Sequence, residues 1–347
     1  MVRQRSWLKG KCLIGLLMLL VVFVLTGCAA RSPSAQSGPV VLKLGTETAL
    51  DTPETRGSQK LADLVKEKSN GTLVIEVYEN ARLGTMKERG EGMRMGSVDM
   101  GTSSVGFLAS YVPLLGIFDL PYVYRDKAHE LRVFDSEIGR EVDKKLQAQG
   151  LRVICYFDAG VRHITNNRKP IRTPGDLKGL RIRVPQTEAS SEGFKALGAL
   201  PTPLAFGEVY MALKQNVVEG QENPLSLVLH NRFYEVQKYL SLTGHQAFIQ
   251  VLTISEKRWQ QLTPQHQLIL LESAREAEKY QRQLEAAAED EVLRELKVRG
   301  MQVNNVEDVE LFAALAVPLR SMYIRKLGDP ARELFDRIDS LRETDGK

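Results

Sequence analysis

The segments GVRHITNN (160–167), PGDLKGLRIRVP (174–185), PTPLAFGEVYMAL (201–213) and VVEGQENP (217–224) carry the reading of this chain. In GLRIRVP, alternation with period two puts Leu180, Ile182 and Val184 on one face of a strand and Arg181 and Arg183 on the other. Pro185 ends the strand, so Arg183 lies near its C-terminal edge, where open α/β sheets bind their ligands. A guanidinium at such an edge can grip a carboxylate through two parallel charge-assisted hydrogen bonds. Composition alone would make Arg183 an ordinary surface arginine.

Outward from this block, strands and helices alternate. VVLKLGTET (40–48), TLVIEVYEN (72–80), DMGTSS (99–104), LRVICYF (151–157) and QVLTIS (250–255) read as strands. Helical patterns fill Glu54 to Lys68 and 127–150, the latter closed by Gly150. The alternation predicts α/β domains on mainly parallel sheets. Thr263 and Pro264 open a run without glycine or further proline as far as Arg299, before Gly300. Unbroken, it is a helix of roughly 50 Å, longer than one small domain needs. A coiled coil is the alternative, but Leu268, Leu271, Ala274, Ala277 and Leu284 do not sustain a heptad seam.

Together the four blocks resemble the signature segments of the solute receptors of tripartite ATP-independent periplasmic (TRAP) transporters. The resemblance runs from about residue 40 through YLSLTGH (239–245) into the long helix. It implies a two-lobed α/β fold of the periplasmic-binding-protein type (type II), with the long helix spanning both lobes. One lobe is 40–162 with part of 244–290; the other is 163–243 with C-terminal helices in 291–347. It also implies capture of a small organic acid and delivery to the TRAP membrane permease. The arginine of the matching I-R-V-P segment, Arg183, would hold the ligand carboxylate, with Arg162 as a second anion contact. Read alone, Arg162 could equally pair with Asp158. Phe206 would close over the ligand's apolar face, or simply pack in a core. Asn223 would offer an amide that both donates and accepts. His163 either touches ligand hydroxyls or satisfies a buried carbonyl, and Asn166 either donates to ligand or forms a turn. Glu219 stands where the family usually has aspartate before the GQENP glycine. RHITNN and the nearby amides favour a hydroxylated monoacid, a uronate or aldonate, over a C4-dicarboxylate. A ligand-sensing lipoprotein feeding a signalling partner is the alternative of another class.

The front of the chain has its own logic. Arg3, Arg5, Lys9 and Lys11 precede an apolar run from Cys12 to Leu25, the pattern of a secretory signal over 1–27. The run is short of the roughly 20 residues of a membrane span. Leu25-Thr26-Gly27-Cys28 resembles a lipobox, which implies a lipid on Cys28 that tethers the protein to a bilayer. Residues 28–39 read as a flexible tether. The signal takes four basic residues and no acid, so the remainder carries 43 charges of each sign. No basic stripe remains to suggest nucleic acid. Cys155, in an apolar run, reads as a small core residue. The sequence holds no G-x-S-x-G, H-E-x-x-H or P-loop, and its five histidines lack metal-ligand spacing. An enzyme, a metal and a cofactor are therefore not expected. If the lipobox reading holds, Cys28→Ala abolishes incorporation of labelled fatty acid; unchanged labelling of the variant refutes it.

Overall fold

The apolar runs at 151–157 and 250–255 are each one end of a much longer strand. A computed structural model describes residues 38–342 and shows nine strands there. These are β1 (Val40–Gly45), β2 (Leu73–Tyr78), β3 (Met100–Ser104), β4 (Leu151–Asn166), β5 (Arg181–Val184), β6 (Leu200–Pro203), β7 (Gly220–Pro224), β8 (Tyr239–Ser255) and β9 (Gln302–Asn305). The helices are α1 (Pro53–Lys68), α2 (Met86–Met95), α3 (Lys127–Asp135), α4 (Glu137–Gln147), α5 (Glu188–Ala196), α6 (Val209–Lys214), α7 (Leu225–His230), α8 (Glu256–Trp259), α9 (Pro264–Val298), α10 (Val309–Leu327) and α11 (Asp329–Ser340). The signal segment and Cys28 lie outside the described residues, as does most of the tether.

All nine strands join one sheet in the order β2-β1-β3-β8-β4-β7-β5-β6, with β9 on β8. The expectation of mainly parallel pairing holds for five of the eight pairings, β8–β9 among them, but not at the centre of the sheet. The two ends are parallel, but β3–β8, β8–β4 and β4–β7 are antiparallel. The cause is the pair of long strands. β4 runs outward through both halves of the fold and β8 runs back beside it, so their ladder is antiparallel throughout. That ladder slips at Val153/Cys155, Asp158/Val161 and Arg162/Ile164, bulges that bend a ribbon too long to stay flat. At Gly160 φ is +87°, a conformation that disfavours residues with a Cβ.

The helix read over 127–150 is two helices. Ser136 ends α3 and caps α4, its hydroxyl donating to the Val133 carbonyl and accepting from the Ile138 N–H. The junction is tight: a Cβ on Gly139 would stand 2.0 Å from the Phe134 carbonyl oxygen. Helix α9, by contrast, is continuous over 35 residues, opened by Thr263 accepting from the His266 N–H. Its first half buries Leu270, Ala274 and Ala277, spaced to share one face, in a core with β1, α1 and β8. Its second half buries Val292 and Leu296 in another core with α6 and α7. Between these cores the buried positions turn polar, at Gln281 and Glu285.

A third core gathers Val184, Phe194 and Phe312 around β5 and α5. The largest joins α3, α4 and the loop 115–124 to the end of the chain. Helix α11 therefore packs on the first half, not on the second as expected for 291–347. Its Leu334, Phe335 and Ile338 complete the apolar surface that α3 and α4 leave open.

Gln281 ties α9 to the kink in β4. Its Oε1 accepts from the Asp158 N–H at 2.9 Å and its Nε2 donates to the Asp158 carbonyl. Gln281→Ala strands both backbone groups out of water and leaves a cavity. A loss of roughly 2–4 kcal/mol is expected in urea unfolding; a loss below about 0.5 kcal/mol would mean the tie is not structural.

Candidate functional site

Where the two halves of the sheet meet lies a cleft of about 700 Å³, part of it open to solvent. One wall comes from β4, β5, β7 and the loop after β6, and carries Arg162, Arg183, Phe206 and Asn223. The other comes from the ends of β1 and β3 and the starts of α1 and α2, and carries Glu47, Glu54, Lys87 and Arg89. Gln250 and Phe248 of β8 close the floor.

Arg183 is 3% exposed although it carries a full charge. Its Nε and Nη2 both donate to the Leu204 carbonyl, at 3.0 and 2.7 Å. That lateral fork fixes the guanidinium and leaves Nη1 without a protein partner among the described residues. Burial pulls its pKa down to about 10, with Glu222 opposing and Arg162 assisting. The group stays cationic at neutral pH and gains from any anion brought beside it. Phe206, on a 3-10 turn at Phe206–Glu208, sits 6.0 Å from this guanidinium and edge-on to Phe233.

Arg162 is anchored in the same way, but by a charge. Its Nε and Nη2 grip the two carboxylate oxygens of Glu222, with Nη2–Oε1 at 2.8 Å. Nη2 also donates to Asn223 Oδ1 at 3.1 Å, and the plane stacks 4.4 Å from the Phe248 ring centroid. Here too Nη1 is left over. The alternative partner, Asp158, is taken by Lys127 at 2.9 Å. Buried His245, whose pKa is lowered by burial, completes the group from Nε2, 3.1 Å from Glu222, while Thr243 holds its Nδ1. Burial alone would raise the Glu222 pKa; Arg162 and His245 outweigh it and hold it at about 2.

Two residues taken for site candidates lie elsewhere. His163 is absent from the cleft lining; its Nδ1 accepts from the Gly244 N–H at 3.0 Å. Burial, then the neighbouring His245, lowers its pKa to about 3, so it is neutral. Asn166 also stays outside the cleft: its Oδ1 accepts from the N–H groups of Arg168 and Lys169, and its Nδ2 donates to the Lys169 carbonyl. Both side chains are spent on turns that end long strands. Asn223 is in place, though its Oδ1 serves Arg162 and its Nδ2 donates to Gln221.

The opposite wall was not legible from the motifs. Arg89 is fully buried, its Nη1 and Nη2 donating to the carbonyls of Gly84 and Thr102 at 2.9 and 2.8 Å. Gly45 makes room for it, since a Cβ there would stand 2.5 Å from Arg89 Cδ. Glu54 accepts from Thr102 Oγ1 at 2.6 Å, and burial raises its pKa. Gln250 Oε1 is buried with no donor at all. A buried acceptor without a partner costs about 1–3 kcal/mol, which a ligand donor would recover. No group of His, Cys, Asp and Glu among the described residues could hold a metal. Cys155 is buried in the core, where burial pushes its pKa well up and leaves it an inert thiol.

Residues 44–326 match the family model for bacterial extracellular solute-binding proteins, family 7. The chain belongs to that family. It is similar to the 2,3-diketo-L-gulonate-binding periplasmic protein YiaO of Escherichia coli, 33% identical over 92% of this chain and 97% of that one. A TRAP periplasmic solute-binding protein of Polaromonas, solved with D-erythronate, is 32% identical with a TM-score of 0.83, covering 89% of this chain and all of that one. A third, from Sulfurospirillum deleyianum with bound succinate, is 28% identical with the same score, over 88% and 99% of the two chains. This TRAP receptor is thus an extracytoplasmic binding protein for organic acids with the two-lobed fold, and not an enzyme. No helix among its described residues is long and apolar enough to cross a membrane.

The Glu222 pair sets an acid limit on the fold. Its pKa lies near 2 against an ordinary 4.5, so its stabilisation is complete above pH 4.5 and lost as pH falls toward 2. Glu222→Gln leaves Arg162 buried without a counter-charge and is expected to cost about 3–5 kcal/mol at neutral pH. The variant should also lose less further stability than wild type below pH 4.5. Urea midpoints across that range check both; parallel pH curves would refute the assignment.

Proposed function

We propose that this receptor takes a hydroxylated monocarboxylate, a sugar acid of the uronate or aldonate type, with Arg183 as its principal carboxylate contact. Arg162 Nη1 is the second anion contact and Phe206 covers the apolar side of the ligand. The observation that carries the reading is the set of acceptors that share the cleft with Arg183: Gln250 Oε1 on the floor is buried and undonated, and Glu47 and Glu54 line the far wall. These are acceptors, and hydroxyl groups are the donors that fit them. A second carboxylate there would meet like charge. The relatives named for 2,3-diketo-L-gulonate and D-erythronate, both oxygen-rich monoacids, support the same class.

A C4-dicarboxylate is the second reading, favoured by Lys87 and Arg89 on the far wall and by the succinate-bound relative. Arg89 is already committed to two carbonyls and to Glu47, 3.8 Å away, which weakens it as a carboxylate partner. In the proposed cycle the lobes, 40–162 and 163–243 with α11 joining the first, close on the acid. The loaded receptor, tethered through Cys28, then delivers it to the TRAP membrane permease.

Calorimetry with a panel of uronates, aldonates and succinate tests the class; a preference for succinate over every sugar acid would overturn it. For the preferred acid, Arg183→Ala is expected to weaken binding by about 30-fold to several thousand-fold, the usual 2–5 kcal/mol for breaking one side of a buried charged pair. Arg183→Lys should recover part, since an ammonium keeps the charge without the planar fork. Exposed Arg181, engaged with Glu219 and the Val217 carbonyl, is the control. Binding by Arg183→Ala within about twofold of wild type, roughly 0.4 kcal/mol, would remove Arg183 from the site.

A further inference from the structure

Away from the cleft, acids crowd the point where β4 kinks. Asp158, Glu130 of α3 and Glu285 of α9 are all buried, and Lys127 is paired with the first of them. Lys127 is bound to Asp158 and stands 3.9 Å from the half-exposed Glu289. Glu130 is 1% exposed with neither carboxylate oxygen hydrogen-bonded. Glu285 is 5% exposed and has one weak donor, Ser226 Oγ of α7 at 3.3 Å. Among buried carboxyls set this close, each further charge meets both desolvation and like-charge repulsion. With Lys127 bound to Asp158, burial, then Asp158, raise the pKa of both Glu130 and Glu285.

The place matters as much as the charge. The β4–β8 ladder slips between Asp158 and Val161, and Gly160 there has a positive φ. Glu285 lies directly against that glycine: a Cβ on Gly160 would stand 2.8 Å from Glu285 Oε1. A narrow crevice lined by Gly160, Ser226 and Glu285 lies alongside, between β4, α7 and α9. The same stretch of α9 separates the two cores it joins. β4 and α9, two of the segments that cross between the halves, are tied together at this point.

We propose that this joint is a proton-operated hinge: closing over the ligand draws a proton onto Glu285, and ionising Glu285 reopens the joint and releases the ligand. The proposal rests on the receptor reading above. In this proposal the packed joint of the structure, where burial, then Asp158, raise the Glu285 pKa to about 8, is the closed form, and opening admits water to Glu285 and lowers its proton affinity. The charged groups facing it are Asp158 of β4, Lys127 of α3 and Glu289 of α9, with Glu130 and Arg282 next beyond. A group whose pKa is raised in the closed state stabilises that state below its open-state pKa. The stabilisation is lost as pH rises through the closed-state value, so affinity falls above pH 8.

Calorimetry with the tightest acid of the panel decides it. Between about pH 7 and pH 9 wild-type affinity is expected to fall roughly five- to tenfold, whereas Glu285→Gln, which mimics the protonated side chain, stays within about twofold. Glu54 and Asp119, whose pKa values are also raised by burial, remain in the variant, so a slope they set would persist and overturn the proposal. A flat wild-type profile overturns it as well. Ser226→Ala removes the hydrogen bond that favours the ionised form, so the fall should move to higher pH by a few tenths of a unit. That shift tests the hinge if Glu285→Gln fails to fold, and an unmoved midpoint counts against it. Failure of wild type to bind any acid at any pH would instead refute the receptor reading.

Discussion

A guanidinium taken out of water needs acceptors for its N–H groups, and in this fold Arg162 finds a charged one. Its lateral edge is closed by Glu222, and Glu222 is in turn held by His245. The three groups come from β7 and from the two long strands, so the pair is made only when all three strands are in register. The outcome is a cation fixed in orientation, with one edge satisfied and one open. Arg183 reaches the same condition with a neutral carbonyl from Leu204 instead of a carboxylate. Two forks, each half used by the protein, leave one Nη1 apiece without a protein partner among the described residues. Preorganisation of this kind lowers the ordering cost of binding.

What could be read from sequence followed the apolar pattern. β5 was legible because Ile182 and Val184 alternate with arginines and proline closes the strand. α9 was legible from its Thr-Pro opening and its freedom from glycine. β4 and β8 were read at less than half their length. Past Phe157 and before Gln250 their residues include Asp158, Arg162, His163, Thr243, His245 and Gln246, all buried but polar. Side chains buried in polar pairs leave no apolar alternation to read, so the pattern failed over these stretches.

The cleft divides the same way. Arg162, Arg183, Phe206 and Asn223 stand in short segments with a distinctive look, and the structure gathers them on one wall. The acceptors opposite, Glu47, Glu54 and Gln250, sit among ordinary helix and strand residues and matter only through where the chain brings them. His163 and Asn166 shared the conspicuous segment without sharing the site. Their polar atoms are consumed by Gly244 and by the turn at Arg168 and Lys169.

The ladder of β3 on β8 joins residues 100–104 to residues 250–254. Until synthesis passes that point, β3 has an open edge, and the apolar faces of β1 and α1 lack α9 to cover them. Contacts so distant along the chain make folding slow, and an unpaired strand edge invites pairing with another chain. Neither half can therefore be cut out as a self-sufficient domain. A polypeptide interrupted anywhere before residue 255 would be left with a sticky, unfinished sheet, whatever the length already made.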